Sequence, residues 1–401
     1  MAKSKRSSLT RSKLAAPTAA IHALAAKVGE YIYYPDPGPL YLVLGTVAGN
    51  MLVGSSPVWV MLIGAPSSGR TLILDTLIRV PRVHTVEGIT GPGALLSASG
   101  KKDRTKQSTG GLLNRVGLRG LILMKDFTDV LSMAPEPMKA VIGGFRGAFD
   151  GRWSRESGVD GGSKVHWGEG EPGRIGFLGA STQKLDQYHS IIQELGQRWL
   201  YYRFPNTDGF GETMSSLSEE DYKTVKSELC ELIVGFFDLL DLDWDSHKSR
   251  VLTRPEKTRL WSMAALMTRV RTSVSRDFKT REIDEIAMPE GTPRMSGELG
   301  QLLRGLEHIG LGEDEFWPVI EKVALDSAPM LRVAVVKALE EGGGGGLTMA
   351  ELRAAINLGK GKTTMDRCVE ELGVLNVVVK VEQTVMLTAW SKELLKAGWV
   401  K

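Results

Sequence analysis

The feature that most constrains this chain is a six-residue apolar run, VWVMLI at 58–63, that leads directly into the glycine-rich octapeptide GAPSSGRT at 64–71. A fully apolar run of this length is typical of a strand buried on both faces of a parallel sheet. Similar runs at 120–124 and 174–180 border glycines, and helical patterns separate them. The sequence therefore predicts an α/β core with a mostly parallel sheet and helices on both faces.

The octapeptide fits the phosphate-loop pattern G-x-x-x-x-G-K-[ST], except that Arg70 replaces the lysine. In such a loop backbone N–H groups turn inward to bind phosphate oxygens, and the next helix adds positive potential at its N-terminus. Arg70 would contact the β- and γ-phosphates of ATP, and the Thr71 hydroxyl would bind Mg²⁺. The alternative is a glycine-rich turn without a ligand. The candidate nucleotide-binding residues are Gly64, Ala65, Pro66, Ser67, Ser68, Gly69, Arg70 and Thr71.

A second candidate site feature is the acid at the end of GLILMKDF, residues 120–127. A carboxylate at a strand end can position Mg²⁺ or activate water, because strand ends line the nucleotide crevice. The usual pair is Asp-Glu, whereas this chain has Lys125 and Asp126. Asp126 is therefore the candidate for both metal binding and catalysis.

The composition and the pattern of apolar and charged residues along the chain predict four regions. Hydrophobic residues make up 42% and charged residues 24%, which excludes a largely disordered or fibrous chain. No apolar stretch reaches 18 residues, and two cysteines without CxxC spacing argue against disulfides and zinc, so we expect a cytoplasmic protein without a membrane partner. The predicted regions are a basic arm and helix at 1–39, an α/β core at 40–207, a helical region at 208–327 and a C-terminal unit at 328–401.

The C-terminal unit has the pattern of a winged helix-turn-helix. A helix at 329–341 is followed by helices that begin at Thr348 and Thr363, and then by a hairpin at 377–387. The third helix would enter the major groove of duplex DNA by its N-terminal end. The alternative is a winged helix used for protein contacts, since acids also lie on that helix. The candidate DNA-binding residues are Lys360, Lys362, Thr364, Arg367 and Lys380.

Six stretches in sequence order resemble the AAA+ ATPases and, within them, the minichromosome maintenance (MCM) helicases. The chain is also similar to replication ATPases of phages and other mobile elements that end in a winged helix. The resemblance covers about residues 40–310 and implies an AAA+ core, a helical lid, a hexameric ring of identical subunits, ATP and Mg²⁺ as ligands, and action on DNA. The stretches are GAPSSGRT (64–71), ITGPGALLSA (89–98), GGLL with GLILMKDF (110–127), IGFLGAST (175–182), LGQRW (195–199) and GTPRMSGELGQLLRGLE (291–307).

The resemblance implies roles for four side chains. Thr182 matches the sensor-1 position, where the family usually has asparagine, and Arg294 matches sensor 2 on a lid helix. Arg198 matches the arginine finger, which acts on the γ-phosphate of a neighbouring subunit; the alternative is a solvated arginine before an aromatic strand. Asp126 aligns with the catalytic glutamate, and Lys125 replaces the metal-ligating acid.

In this family two loops line the ring pore and hold single-stranded DNA. The first corresponds to the segment after Ala94, and the second to a hairpin at 150–167. Phosphate contacts of this kind bind DNA without reading its sequence. The alternative is that these cations only solvate the loops. The candidates are Lys101, Lys102, Arg104, Arg152, Arg155 and Lys164.

The sequence therefore predicts an ATP-dependent DNA helicase, translocase or replication-initiation ATPase that acts as a ring. Two alternatives remain open. One is an ATP-dependent transcription activator, to which GGFRGAFDG at 143–151 has a superficial similarity. The other is a DNA-binding initiator or regulator that holds ATP with weak hydrolysis, as Arg70 and Lys125 suggest.

Overall fold

The computed structural model describes twelve segments of the chain, and these form two compact units. The first unit contains the described residues up to 188, 196–250 and 301–320; the second contains 189–194, 251–300 and 321–399. The helical region expected at 208–327 thus contributes to both units. The described residues are 17–31, 36–54, 56–66, 68–97, 110–157, 163–194, 196–204, 219–244, 247–285, 287–343, 345–358 and 362–399.

Among the described residues, seven strands belong to the first unit. They are β1 (Trp59–Ile63), β2 (Val83–Val86), β3 (Arg119–Met124), β4 (Trp153–Ser157), β5 (Ser163–Trp167), β6 (Arg174–Ser181) and β7 (Leu200–Arg203). Five of them form one sheet in the order β2-β3-β6-β1-β7, and each neighbouring pair is parallel. Strands β1 and β6 are buried along their whole length. The predicted parallel α/β core is confirmed.

The helices lie before, between and after these strands. They are α1 (17–29), α2 (Gly38–Met51), α3 (Arg70–Asp75), α4 (Pro92–Leu95), α5 (Leu112–Val116), α6 (Thr128–Leu131), α7 (Pro135–Phe149), α8 (His189–Glu194), α9 (Glu219–Leu240), α10 (Arg254–Arg271), α11 (Thr292–His308), α12 (Glu313–Asp326), α13 (Met330–Glu341), α14 (Met349–Ala355), α15 (Lys362–Val374) and α16 (Ala389–Gly398). Among the described residues, no helix combines the length and apolarity that crossing a membrane requires.

The topology places a switch point at the carboxyl end of the sheet. After β1 the chain runs toward β2 at one edge, whereas after β6 it runs toward β7 at the other. The carboxyl ends of these two adjacent strands therefore form a switch point of the kind at which ligands bind in open α/β sheets. The octapeptide at 64–71 follows β1 at this point.

An aromatic cluster forms the core on one side of β1. The Trp59 ring lies 5.3–5.9 Å, between centroids, from Phe145 and Phe149 of α7, Phe177 of β6 and Trp199. Its indole N–H donates to the Ile175 carbonyl at 2.7 Å, so the one polar atom of this ring is satisfied.

The second unit contains the predicted C-terminal elements. Helices α13, α14 and α15 are followed by β9 (Val378–Val381) and β10 (Thr384–Leu387), and the capping box between Thr348 and Glu351 is present. A two-residue strand, β8 (Leu347–Thr348), completes a sheet in the order β8-β10-β9. The sequence did not predict β8 because two residues carry no periodic signal.

Candidate functional site

The octapeptide forms a tight turn between β1 and α3. Gly69, with φ 83°, adopts the left-handed conformation at the N-cap of α3, which favours glycine. The Gly64 N–H donates to the Ser181 carbonyl at 3.2 Å. A Cβ atom added to Gly64 would lie 2.9 Å from the Ser68 hydroxyl and 3.0 Å from Phe204. The loop therefore lies closely against the carboxyl ends of β6 and β7; Ser67 lies outside the described residues.

Arg70 spans this loop with three hydrogen bonds. Its Nε donates to the Ser68 hydroxyl at 3.1 Å, its Nη2 to the Ala65 carbonyl at 3.1 Å, and its Nη1 to the Ser181 carbonyl. Burial lowers the pKa of Arg70, and the charge of Asp126 opposes that effect. The guanidinium therefore lies across the loop and joins it to the end of β6.

Two of the other loop residues are open to solvent. Thr71 is exposed in the first turn of α3, so its hydroxyl is accessible to a ligand. Pro66 is exposed as well, whereas Gly69 is buried.

Asp126 lies at the carboxyl end of β3, as predicted. It is exposed, and its Oδ1 accepts a hydrogen bond from the Thr128 N–H at 2.7 Å. The Phe127 N–H donates to the Ala180 carbonyl at 2.7 Å, which holds this strand end against β6. The carboxylate is therefore accessible beside the switch point, with one oxygen engaged in the turn.

Lys125 faces a buried carboxylate that the sequence analysis did not identify. Its Nζ lies 2.6 Å from Oδ1 of Asp75 in α3, and Nζ of Lys226 in α9 lies 2.7 Å from Oδ2. Asp75 is 4% exposed. No local signal marks Asp75, because its partners lie on two distant segments of the chain. We call Asp75, Lys125 and Lys226 the lysine–aspartate cluster.

The residues fit the two expected ligands differently. A nucleotide's phosphates fit the loop, which combines backbone N–H groups, a helix N-terminus and Arg70. Mg²⁺ requires oxygen ligands, and this edge offers the Thr71 hydroxyl and the Asp126 carboxylate. The position at which the family resemblance leads us to expect a metal-ligating acid holds the ammonium of Lys125 instead. These residues do not fit a Mg²⁺ ion held by the protein.

Thr182 follows β6 and caps the next turn. Its hydroxyl accepts from the Lys184 N–H at 3.3 Å, and its carbonyl accepts from the Leu185 N–H at 3.2 Å, at the start of a 3₁₀-helix (Gln183–Tyr188). It lies one residue from Ser181, whose carbonyl binds Arg70. Thr182 is thus at the same strand end as the loop contact.

Sequence reasoning missed the pair Arg203 and Asp186. Arg203 ends β7 beside Ile63, and its Nη atoms bind both carboxylate oxygens of Asp186 at 2.7 and 2.8 Å. This pair joins β7 to the 3₁₀-helix at the carboxyl edge. A charged residue after an aromatic strand was the available signal, and it is too common to identify a site.

Arg198 is buried within its own subunit. Its side chain is 8% exposed, and its guanidinium lies 5.4 Å from the centre of the Phe149 ring. Nη1 donates to the Gly196 carbonyl at 2.9 Å, and Nη2 lies 3.3 Å from both carboxylate oxygens of Asp150. The alternative of a solvated arginine is therefore wrong, and action in trans would require these contacts to break.

Arg294 belongs to the second unit. It lies in the first turn of α11, and its Nη1 lies 3.0 Å from Oε1 of Glu290. The other oxygen of Glu290 lies 2.6 Å from Nη2 of the buried Arg271. The sensor-2 role of Arg294 stays a prediction.

The hairpin expected at 150–167 is present as antiparallel β4 and β5. Its first strand packs on α7, where Cβ atoms added to Gly144 or Gly147 would lie 2.7–2.9 Å from the nearest Trp153 atoms. Trp167 covers Gly173 in the same way, because a Cβ atom added to Gly173 would clash with the ring. Glycines therefore create the notches that hold both tryptophans at the base of the hairpin.

The hairpin contacts the first predicted DNA-binding loop. Nη1 of Arg155 donates to the Leu96 carbonyl at 2.6 Å, and the Ser97 N–H donates to the Gly110 carbonyl at 2.9 Å. The two predicted loops thus begin side by side. Arg152 is exposed, and Lys164 lies in β5 opposite position 156. The remaining loop candidates, Lys101, Lys102 and Arg104, lie outside the described residues.

The α15 helix exposes the predicted cations. Lys362, Thr364 and Arg367 are exposed, as is Lys380 of β9, while Lys360 lies outside the described residues. The opposite face of this helix is buried at Met365, Cys368, Val369 and Leu372, as the spacing of these apolar residues in the sequence predicts.

Two of the three acids on α15 are neutralised. Arg276 lies 2.9 Å from Glu370 and 2.8 Å from Glu371, and the buried Arg332 lies 2.9 Å from the second oxygen of Glu371. Of the acids that argued against DNA binding, Asp366 alone lacks such a pair among the described residues. The neutralised acids lie in the C-terminal half of α15, and the exposed N-terminal half carries Lys362, Arg367 and the acid Asp366.

No family model matches the chain, and no curated protein is a significant match to it.

Proposed function

We propose that this protein is an MCM-like AAA+ ATPase that binds ATP on the loop at 64–71 and acts on DNA as a ring of identical subunits, in the role of a replication helicase, translocase or initiator. The observation that carries the proposal is the loop itself. It connects a buried parallel strand to a helix at a switch point, with Arg70 across it and Asp126 at a nearby strand end.

The chemistry proposed for this site uses the chain's own residues. The loop's N–H groups and Arg70 would bind the phosphates and offset their charge. Asp126, whose carboxylate is exposed, would accept a proton from the attacking water. Thr182 would orient that water, provided that its hydroxyl is released from the Lys184 N–H.

Two surfaces support the proposal that DNA is the substrate. The hairpin presents the exposed Arg152 beside the start of the neighbouring loop, and we expect the cations predicted on both loops to contact single-stranded phosphates. In the second unit, α13 to β10 have the element order of a winged helix, with Lys362 and Arg367 exposed on α15. We expect α15 to bind duplex DNA, and the region before α13 to act as the AAA+ lid.

The test is ATP hydrolysis by the full chain with and without single-stranded DNA. Asp126→Asn should retain nucleotide binding and lower turnover by about a hundredfold or more, the usual range for loss of a catalytic base. Asp129→Asn is the matched control, because Asp129 is an exposed acid one turn along in α6. Equal turnover in both variants would contradict the assignment of Asp126.

A second candidate function is a DNA-binding regulator that holds ATP without rapid turnover. The arrangement of Arg70 favours it, because a phosphate must compete with three existing hydrogen bonds. This candidate predicts nucleotide binding and duplex binding together with negligible phosphate release. Turnover stimulated by single-stranded DNA would exclude it.

A further inference from the structure

We propose that Lys125 takes the place of the divalent cation, so that the loop binds a nucleotide's phosphates with an affinity that does not depend on Mg²⁺. This inference rests on the proposed nucleotide site. It concerns how that site balances the charge of its ligand, and the lysine–aspartate cluster is the feature that carries it.

The cluster lies at the same edge of the sheet as the loop. Lys125 follows Met124, the last residue of β3, and Met124 pairs with Gly179 of β6, which in turn pairs with Met61 of β1. Asp75 lies one helical turn beyond Thr71 in α3, on the same face of that helix. The ammonium of Lys125 is therefore held between the strand end and the helix that begins at the loop.

Burial fixes the position of this ammonium. Asp75 is almost completely buried, and a buried carboxylate needs paired cations and hydrogen bonds. Lys226 binds its second oxygen, and the Cys230 thiol contacts its backbone carbonyl at 3.3 Å. Asp75 is part of α3 and is also bound by two residues of α9. It therefore provides a rigid anchor for Lys125.

The balance of charge then favours a polyanion. The cluster contains two ammonium groups and one carboxylate, so it keeps one unit of positive charge. Arg70 adds a second, and Asp126 removes one. The polyphosphate of ATP carries several negative charges, which Mg²⁺ would ordinarily reduce. Here a fixed ammonium supplies charge at the strand end, and no ion has to be bound first.

The same arrangement disfavours a divalent ion held by the protein. An ammonium repels a cation placed beside it, and the repulsion is strong where water is partly excluded. The acid that could oppose it, Asp126, already accepts from the Thr128 N–H. Among the described residues, no group of three His, Cys, Asp or Glu side chains is arranged to hold a metal.

The test is calorimetric titration of the full chain with ATP, and separately with inorganic pyrophosphate, in EDTA and in MgCl₂. We expect the wild-type affinities in the two buffers to agree within about threefold. Lys125→Ala should weaken binding in EDTA by about tenfold or more. Lys125→Asp should weaken it further and make binding depend on Mg²⁺, because it places a carboxylate beside Asp126.

Lys184→Ala is the matched control, because it removes an ammonium from the same edge outside the cluster, where its Nζ contacts the Ser132 hydroxyl at 3.4 Å. Its affinity should match the wild type. Lys125→Gln, which keeps a polar side chain without the charge, replaces Lys125→Ala if thermal melting shows that the alanine variant does not fold.

Two results would overturn the inference: a wild-type affinity that rises by more than about tenfold with Mg²⁺, or unchanged binding in EDTA on loss of the Lys125 charge. Absence of binding in both buffers would instead contradict the proposed nucleotide site.

Discussion

The guanidinium of Arg198 lies 3.3 Å from both carboxylate oxygens of Asp150, and it is held there against the Phe149 ring. The two residues are unequal partners, because the Arg198 side chain is 8% exposed whereas that of Asp150 is 52% exposed. The contact therefore fixes a buried arginine with an accessible acid at the start of β7. A residue expected to reach a neighbouring subunit is thus engaged within its own.

Arg198→Ala should lower the free energy of unfolding by about 1–3 kcal/mol, because it removes a packed side chain and its hydrogen bonds. Asp150→Asn, which keeps an acceptor on the exposed side, should cost less. Chemical denaturation measures both.

Mixing Arg198→Ala with Asp126→Ala subunits tests the role in trans. A shared site predicts that some ATPase activity returns in mixed rings, because one interface then has both groups intact. Failure to recover activity at any ratio, in subunits shown to co-assemble, would leave Arg198 a purely structural residue.

Arg70→Lys should preserve ATP binding and raise turnover. An ammonium keeps the charge but lacks the planar fork that binds Ser68, Ala65 and Ser181 together, so the phosphates would displace it more easily. Phosphate release and nucleotide titration measure the two effects. A lower turnover in this variant would show that the loop is adapted to arginine.

Gly147→Ala should destabilise the first unit by about 1–3 kcal/mol, because the new Cβ would lie 2.8 Å from the nearest ring carbon of Trp153 and force the ring to move. Gly143→Ala is the matched control in the same helix, since nothing lies within 4 Å of its added Cβ. It should be neutral or stabilising, given the helix propensity of alanine. Thermal melting compares the two variants. Equal destabilisation would contradict the claim that Gly147 leaves the space occupied by the Trp153 ring.

Replacing Lys362 and Arg367 of α15 with alanine should weaken duplex DNA binding by the full chain. It should also reduce the slope of log K against the logarithm of the salt concentration by about two. Each exposed cation that neutralises a phosphate releases counterions. The control pair is Lys337→Ala with Lys396→Ala, which removes two exposed cations from α13 and α16. A similar loss in both pairs would indicate general electrostatics rather than binding by α15.

The two cysteines should resist alkylation in the folded protein. Burial raises the pKa of Cys368 to about 12 from an ordinary 9.0, and burial also raises the pKa of Cys230. A raised thiol pKa means that folding favours the protonated form, so this contribution to stability is complete below pH 9 and is lost as the pH rises toward 12. The rate of iodoacetamide labelling near neutral pH, compared with the rate in urea-unfolded protein, measures the resistance of the two thiols to alkylation. Rapid labelling of both thiols in the native state would contradict the burial.

Much of the fold follows from local pattern. The apolar runs at 58–63, 120–124 and 174–180 became strands of one parallel sheet because each run is too apolar to face water on either side. The capping box at Thr348 and the buried face of α15 were predictable for a similar reason, since both depend on spacings within one or two helical turns.

The candidate site was predictable only in part. The positions of Arg70 and Asp126 at the crevice follow from the rule that parallel strands end at the same edge. Their hydrogen-bond partners do not, because Ser181 and Thr128 become partners through the way that strand ends and turns pack.

By itself, the sequence determined which segments are buried strands, where helices begin and which residues could bind phosphate. Only the tertiary structure decided that Lys125 pairs with Asp75, that Asp150 holds Arg198 and that Arg276 neutralises acids of α15. The physical reason is the distance along the chain over which each interaction acts. Hydrophobic period and capping act over a few residues, whereas an ion pair depends on two distant segments that only the packed fold brings together.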